Sequence, residues 1–179
     1  MQVNGSLEEL LGLESSRRNT DIIADLILQK PALFTELFNI YIKDIEPLSW
    51  KAAWVADVVT EKRPELLDPF IDIIAGRLRT FTQDGMKRES LKMLTHSQLP
   101  EENLGLLISV CFGWLTSGKE SVSVKMFCME ILYRISQKEP EMKKELADSI
   151  EWRMLEETPG FRAHGKKLLK RLYSEIQRM

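Results

Sequence analysis

The feature that most constrains this chain is a helical pattern that restarts at intervals of some 33 to 40 residues. Each restart begins near a proline, namely Pro31, Pro64, Pro100 or Pro140. Apolar residues recur six and ten positions after each proline, which places them on one face of an α-helix. Because proline is favoured at the first helical position, each of these prolines predicts the start of a helix.

A second helix is predicted in every repeat, marked by a basic residue that follows an apolar one. The four basic residues are 36, 38 and 37 positions apart: Lys51, Lys87, Lys125 and Arg162. Seven positions after each lies an apolar residue: Val58, Leu94, Leu132 or Leu169. A period in this range is typical of solenoids built from helical hairpins, in which stacked neighbours bury the apolar face that one hairpin cannot cover alone.

The predicted fold is therefore all-α, an α-α superhelix of about four to five hairpins in a single domain over residues 1–179. Residues 1–30 fit the repeat poorly and are predicted to form a capping unit, since terminal repeats are usually atypical. A short helix is expected over Leu7–Leu13 and an amphipathic one over Thr20–Leu28. The hairpins are predicted at 31–63, 64–99, 100–139 and 140–179.

The second helices resemble those of the HEAT-like, or armadillo-type, repeat family. The resemblance is carried by the segment from Val124-Lys125 to Leu132, and the segments 86–94 and 161–169 are similar. It implies a right-handed superhelix whose second helices line a concave surface that grips a partner protein. Trp50 and Trp54 depart from the pattern, because the family often has small residues there.

The sequence contains no recognisable catalytic, metal or cofactor motif. The two histidines, His96 and His164, form no HExxH pair, and Cys111 and Cys128 form no CxxC pair. Glycine-rich phosphate loops are absent as well. No cofactor is predicted, and an exposed histidine at a helix end is the ordinary explanation for His96.

Charge and hydropathy argue against membranes and give little support to nucleic acid. The net charge is −2, too small for the whole surface to attract phosphate, and no apolar run reaches the ~20 residues that span a bilayer. The segment 1–14 lacks the basic and apolar regions of a signal peptide. With only two cysteines, both in apolar runs, the sequence predicts a protein of the reducing cytoplasm.

The recurring basic residues are candidates for partner binding. Stacking would bring Lys51, Lys87, Lys125 and Arg162 into a row that could engage acidic groups of a partner. The alternative is intramolecular, in which each residue reaches a carboxylate or carbonyl of the neighbouring repeat or covers apolar surface with its stem.

The last helix is the second candidate, because residues 160–179 carry a net charge of +5 whereas the preceding 159 carry −7. Its cations include Arg162, Lys166, Lys167 and Lys170. They could contact phosphates, or they could neutralise the preceding acidic helix in a polar terminal cap. Trp152, between Glu151 and Arg153, is a candidate interface residue if it is exposed.

Three functions remain open. The leading hypothesis is a non-enzymatic scaffold that binds a protein or peptide, and a purely structural subunit is indistinguishable from it by sequence. The alternative is a DNA-binding enzyme similar to the HEAT-like DNA glycosylases, which use an aspartate flanked by aromatic residues. Asp57, near Trp54, would be that aspartate, although the acidic charge of most of the chain opposes DNA binding.

Overall fold

The structure, a computed structural model, describes residues 5–178, and the regular elements in that range are all helices. Ten α-helices follow one another, and no strand occurs among the described residues, which confirms the all-α prediction. Their bounds are α1 Leu7–Leu13, α2 Arg17–Gln29, α3 Leu33–Ile42, α4 Leu48–Lys62, α5 Ile71–Arg77, α6 Asp84–His96, α7 Leu104–Thr116, α8 Val122–Ser136, α9 Met142–Met154 and α10 Pro159–Ile176.

The contacts divide the chain into two compact units. Met1–Gln98 contains α1 to α6, and Leu99–Met179 contains α7 to α10. The division falls one residue from the boundary predicted between the hairpins 64–99 and 100–139. The single domain over 1–179 stays a prediction.

The N-terminal segment forms the two helices α1 and α2, and its role as a capping unit over residues 1–30 stays a prediction. Ser6 accepts a hydrogen bond from the backbone of Glu9, whose carboxylate accepts one from Ser6 N in return, a capping box that satisfies two donors at the helix start. The side chain of Asn19 in α2 donates to Leu10 O of α1 at 2.9 Å. This bond ties α1 to α2.

The second helices have the predicted register. Each of the four basic residues is the fourth residue of its helix, in α4, α6, α8 and α10 respectively. The apolar positions seven residues later, Val58, Leu94, Leu132 and Leu169, are all buried. A side chain at that spacing lies on the same face as one two turns earlier, so the repeat spacing locates the core face of every second helix.

The first helices begin later than the prolines predicted. The α-helices α3, α5, α7 and α9 start two, seven, four and two residues after their respective prolines. None of the four prolines is therefore part of the α-helix that it was expected to start. The delay is longest after Pro64, where two 3-10 turns, Pro64–Leu66 and Asp68–Phe70, precede α5. Pro69 explains it, since proline lacks the N–H of a helix interior and disfavours the α conformation of the residue before it.

Helices α9 and α10 approach each other closely at Gly165. A Cβ at this position would lie 3.0 Å from Ile150 Cγ2 and 3.2 Å from Met154 Sδ. Leu168 and Leu172 of α10 are buried, one turn and two turns further along the helix. The missing side chain of Gly165 therefore sets the separation of the last two helices.

Candidate partner-binding site

A small apolar pocket opens between α8 and α10. It has a volume of about 130 Å³ and is lined by four residues of α8 and one of α10: Ser123, Met126, Phe127, Glu130 and His164. The α8 residues follow one another at helical spacing, so they share one face of the helix. A dry cavity of about 150 Å³ accepts a benzene molecule, so this pocket has room for one apolar side chain.

Both apolar walls of the pocket are partly exposed to solvent. Met126 and Phe127 are half-buried, whereas Val124, Cys128 and Met129 on the other faces of α8 are buried. Because α8 is apolar on almost every side, the sequence alone does not separate its solvent face from its core faces. Met126 and Phe127 were therefore not predicted as site residues, although apolar residues beyond the core stripe of a helix are a signal for such a surface.

The polar wall of the pocket is formed by His164 and Glu130. His164 Nε2 lies 2.9 Å from Glu130 Oε1, but the alignment is too poor for a hydrogen bond, and Nε2 has no hydrogen-bond partner in the described part of the chain. An unsatisfied buried polar atom costs about 1–3 kcal/mol. A ligand that accepted a hydrogen bond here, after a small rearrangement of the ring, would offset that cost.

Helix α10 presents a row of exposed cations. Arg162, Lys166, Lys167, Lys170 and Arg171 are all exposed, and none forms an ion pair with any residue in the range 5–178. Two acidic residues of α9 have other partners: Asp148 pairs with Lys144 of the same helix, and Glu151 accepts a hydrogen bond from Tyr173 of α10. Both alternatives for these cations, phosphate binding and neutralisation of α9 in a terminal cap, stay predictions.

Two of the recurring basic residues are instead used inside the fold. Lys51 is only 8% exposed and donates from Nζ to Leu11 O at 2.9 Å. Lys125 is 2% exposed and is ion-paired with Glu157. Both bridge to a neighbouring repeat, as the intramolecular alternative predicts.

The carboxylate that holds Lys125 belongs to a buried charge cluster. Arg153 Nε donates to Glu157 Oε1 at 2.8 Å, and Arg153 also pairs with Glu156 at 3.0 Å. Burial alone would raise the pKa of Glu157, but the hydrogen bonds from Lys125 and Arg153 outweigh it, and the pKa is lowered. Glu157 is thus held as an anion that compensates two buried cations.

The other two recurring basic residues are less buried than Lys51 and Lys125. Lys87 is half-buried and engaged in a contact, whereas Arg162 is exposed. The row is therefore not a continuous set of free cations. Partner binding through these four residues stays a prediction, and only Arg162 offers an exposed charge without an ion-pair partner in residues 5–178.

The comparison with known families agrees with this repeat geometry. A family model described as a HEAT repeat domain matches residues 7–172, most of the chain, and this match includes the N-terminal segment that the repeat spacing fitted poorly. The chain belongs to the HEAT repeat family. Neither the comparison with curated proteins nor that with solved structures finds a match.

The two tryptophans that depart from the usual HEAT pattern pack against each other. Trp50 and Trp54 of α4 have ring centroids 6.0 Å apart and nearly parallel planes, and both are half-buried. Gly85 of α6 lies beside Trp50, and a Cβ there would make an ordinary van der Waals contact of 3.8 Å with Trp50 Cβ. The two bulky side chains are thus accommodated by stacking on each other.

Asp57, on the same face of α4, is fully buried. Its Oδ2 lies 2.5 Å from Lys92 Nζ, which also pairs with Glu61 at 2.9 Å, and its Oδ1 has no hydrogen-bond partner in the described chain. Burial raises the pKa of Asp57 to about 6, although the hydrogen bond and charge of Lys92 lower it in part. A carboxylate that is 0% exposed and covered by a lysine is not positioned to meet a base of DNA.

Trp152 is exposed, as an interface residue requires. It is 58% exposed, and the nearby Leu155 is 80% exposed. The guanidinium of Arg153 lies 5.9 Å from the centre of its ring, within the range of a cation–π contact. These two apolar residues near the end of α9 form a second exposed patch, separate in sequence from the pocket residues.

The described residues contain neither a metal-binding cluster nor a membrane span. No group of three or more His, Cys, Asp or Glu side chains there could hold a metal ion. Among the helices of residues 5–178, none is both long and apolar enough to cross a bilayer.

Proposed function

We propose that this HEAT repeat chain is a non-enzymatic binding module that holds a short segment of a partner protein in the pocket between α8 and α10. The observation that carries the proposal is the apolar cavity of about 130 Å³ beside Met126 and Phe127. Second helices of repeat proteins form extended binding surfaces. The pocket supplies an anchor point on such a surface.

The size of the pocket sets the expected affinity. Full burial of one large apolar side chain contributes about 1.5–3 kcal/mol, which alone is weaker than the ~4 kcal/mol of a millimolar complex. The partner segment must therefore make further contacts along α8 and α10.

The prediction that the protein acts in the reducing cytoplasm is kept in this proposal, and two buried free thiols, Cys111 and Cys128, are compatible with it.

The burial of its candidate aspartate argues against the DNA-glycosylase alternative. Its candidate residue, Asp57, is buried and bound to Lys92. Binding of nucleic acid therefore enters only as an outcome of the experiments.

The proposal is tested by selecting short random peptides displayed on phage against the purified protein. Selected peptides are then synthesised with a fluorescent label and titrated by anisotropy. We expect enrichment of peptides with a large apolar residue, and loss of their binding in Met126→Glu, which places a charge in the pocket wall.

The matched control is Leu155→Glu, the same kind of change at an exposed position just after α9 that does not line the pocket. It should bind the selected peptides like the wild type, and circular dichroism should show both variants folded. Equal loss of binding in the two variants, or no enrichment at all, would refute the proposal.

A further inference from the structure

We infer that the partner segment carries acidic residues beside its apolar anchor, an inference that rests on the proposed function. It is drawn from the juxtaposition of the pocket with two exposed cations of α10. Lys167 and Arg171 follow His164, the pocket residue of α10, by three and seven positions. Residues at this spacing lie on the same face of a helix.

These two cations make no ion pair with a carboxylate of the described residues. Both are exposed. The carboxylate one turn beyond Arg171, that of Glu175, is occupied. It accepts hydrogen bonds from Tyr133 Oη at 2.7 Å and Gln137 Nε2 at 3.1 Å.

Glu175 has a third partner, a lysine of α9. Glu175 pairs with Lys143 at 3.0 Å. Burial raises the pKa of Glu175, but the bonds from Tyr133, Gln137 and Lys143 outweigh it, so the pKa is lowered and the group is held as an anion. Glu130 lies 2.9 Å from His164 and makes no ion pair with Lys167 or Arg171. The positive charge of Lys167 and Arg171 is therefore left for a ligand.

Carboxylates of a peptide fit these cations better than phosphates of a nucleic acid. Arginine binds a carboxylate through two parallel hydrogen bonds, and the pocket beside it is apolar and suited to a side chain. Residues 1–159 carry a net charge of −7, which would repel a long polyanion but would affect a short acidic peptide less. The observations thus favour an acidic protein segment.

The geometry of α10 also predicts where the acidic residues of the partner segment lie relative to its apolar anchor residue. Three and seven residues of an α-helix rise about 4.5 and 10.5 Å, whereas an extended peptide advances about 3.3 Å per residue. The acidic residues are therefore expected within about three positions of the anchor, on one side of it.

The test is a phage library with one fixed leucine and random residues on both sides. It is selected against the wild type and against the double variant Lys167→Glu/Arg171→Glu. The wild type should enrich Asp and Glu within about three positions on one side of the leucine, and the double variant should lose that enrichment or favour Lys and Arg. In anisotropy titrations, a selected peptide should bind the double variant about tenfold more weakly and should bind the wild type more weakly as salt is raised.

The control is Arg162→Glu/Lys166→Glu, which makes the same change in net charge on the same helix. These residues lie two positions before and after His164, hence on the opposite side of α10. This variant should keep the acidic preference and nearly the wild-type affinity. Equal losses in the two double variants would overturn the inference, because they would indicate a general charge effect.

Two further outcomes separate this inference from the proposed function. Selection of apolar anchors without flanking acids, with binding still lost in Met126→Glu, would refute the acidic specificity and leave the pocket as the binding site. If no peptide is selected and labelled duplex DNA binds at low salt through Lys167 and Arg171, both the inference and the proposed function are wrong.

Discussion

Replacement of Asp57 by asparagine should remove a pH-dependent cost from the folded state. The side chain of Asp57 is 0% exposed, one of its oxygens has no hydrogen-bond partner in residues 5–178, and the other is bound to Lys92. Asparagine has nearly the same shape but cannot ionise. The substitution therefore changes the charge of the site with little change in packing.

The magnitude follows from the pKa. Burial raises the pKa of Asp57 from 3.8 to about 6, so between these values the folded protein holds a proton that the unfolded chain has released. Stability contributed by this group is present below about pH 4 and is lost as the pH rises through 6. A shift of about two pKa units corresponds to roughly 3 kcal/mol.

The assay is urea denaturation followed by circular dichroism, for wild type and Asp57→Asn, at several values between about pH 4 and pH 7. The difference in free energy of unfolding should be near zero at the acidic end, and the variant should be more stable by up to about 3 kcal/mol at neutral pH. Subtraction of the two curves removes the titration of the other carboxylates. Asp25→Asn, at an exposed carboxylate, is the control and should change stability by less than about 1 kcal/mol.

Two results would refute the reasoning about Asp57. A difference curve that is flat with pH would mean that burial does not raise its pKa. A variant that is less stable than the wild type by more than about 3 kcal/mol at neutral pH would mean that the Asp57–Lys92 pair is a net source of stability, as when a buried pair is broken.

Two further predictions concern packing, and both are measured by the same denaturation at neutral pH. Leu132→Ala should lower the free energy of unfolding by about 2–5 kcal/mol, because Leu132 is fully buried, whereas Leu13→Ala at an exposed leucine should change it by about 0.5 kcal/mol or less. A loss below about 1 kcal/mol for Leu132→Ala would contradict the repeat register. Gly165→Ala should lower the free energy of unfolding by about 1–3 kcal/mol, since its Cβ would lie 3.0 Å from Ile150 Cγ2. Its control is Gly113→Ala, whose Cβ would have no atom within 4 Å; this variant should leave the free energy of unfolding unchanged or raise it by up to about 1 kcal/mol. Equal effects of the two glycine substitutions would show that α9 and α10 are not in close contact at Gly165.

The repeat spacing predicted the second helices well because their pattern is local. Each basic residue marks the fourth position of its helix, and the residue seven positions on is buried. The first helices were predicted less well, since Pro69 interrupts one of them and turns precede the others. A proline in a turn and a proline at a helix start have the same local sequence signature.

The binding site was harder to predict because burial depends on distant partners. Nothing near Lys125 in sequence indicates that it is buried and paired with Glu157, which lies 32 residues away. Conversely, Met126 and Phe127 resemble core residues by composition, and only the packing of α8 leaves them at a surface pocket. The excess of basic residues in α10 made Lys167 a candidate cation, but the sequence left open whether its charge meets a partner or the preceding acidic helix.

The central claim is that a partner segment occupies the pocket between α8 and α10. The most direct measurement is methyl NMR of protein labelled at the methionine methyl groups, titrated with a peptide selected on phage and assigned with Met126→Leu. We expect the Met126 signal to shift with the bound fraction, while the signals of Met86 and Met93, buried in the other unit, stay in place. A peptide that binds while the Met126 signal remains unchanged would contradict the claim.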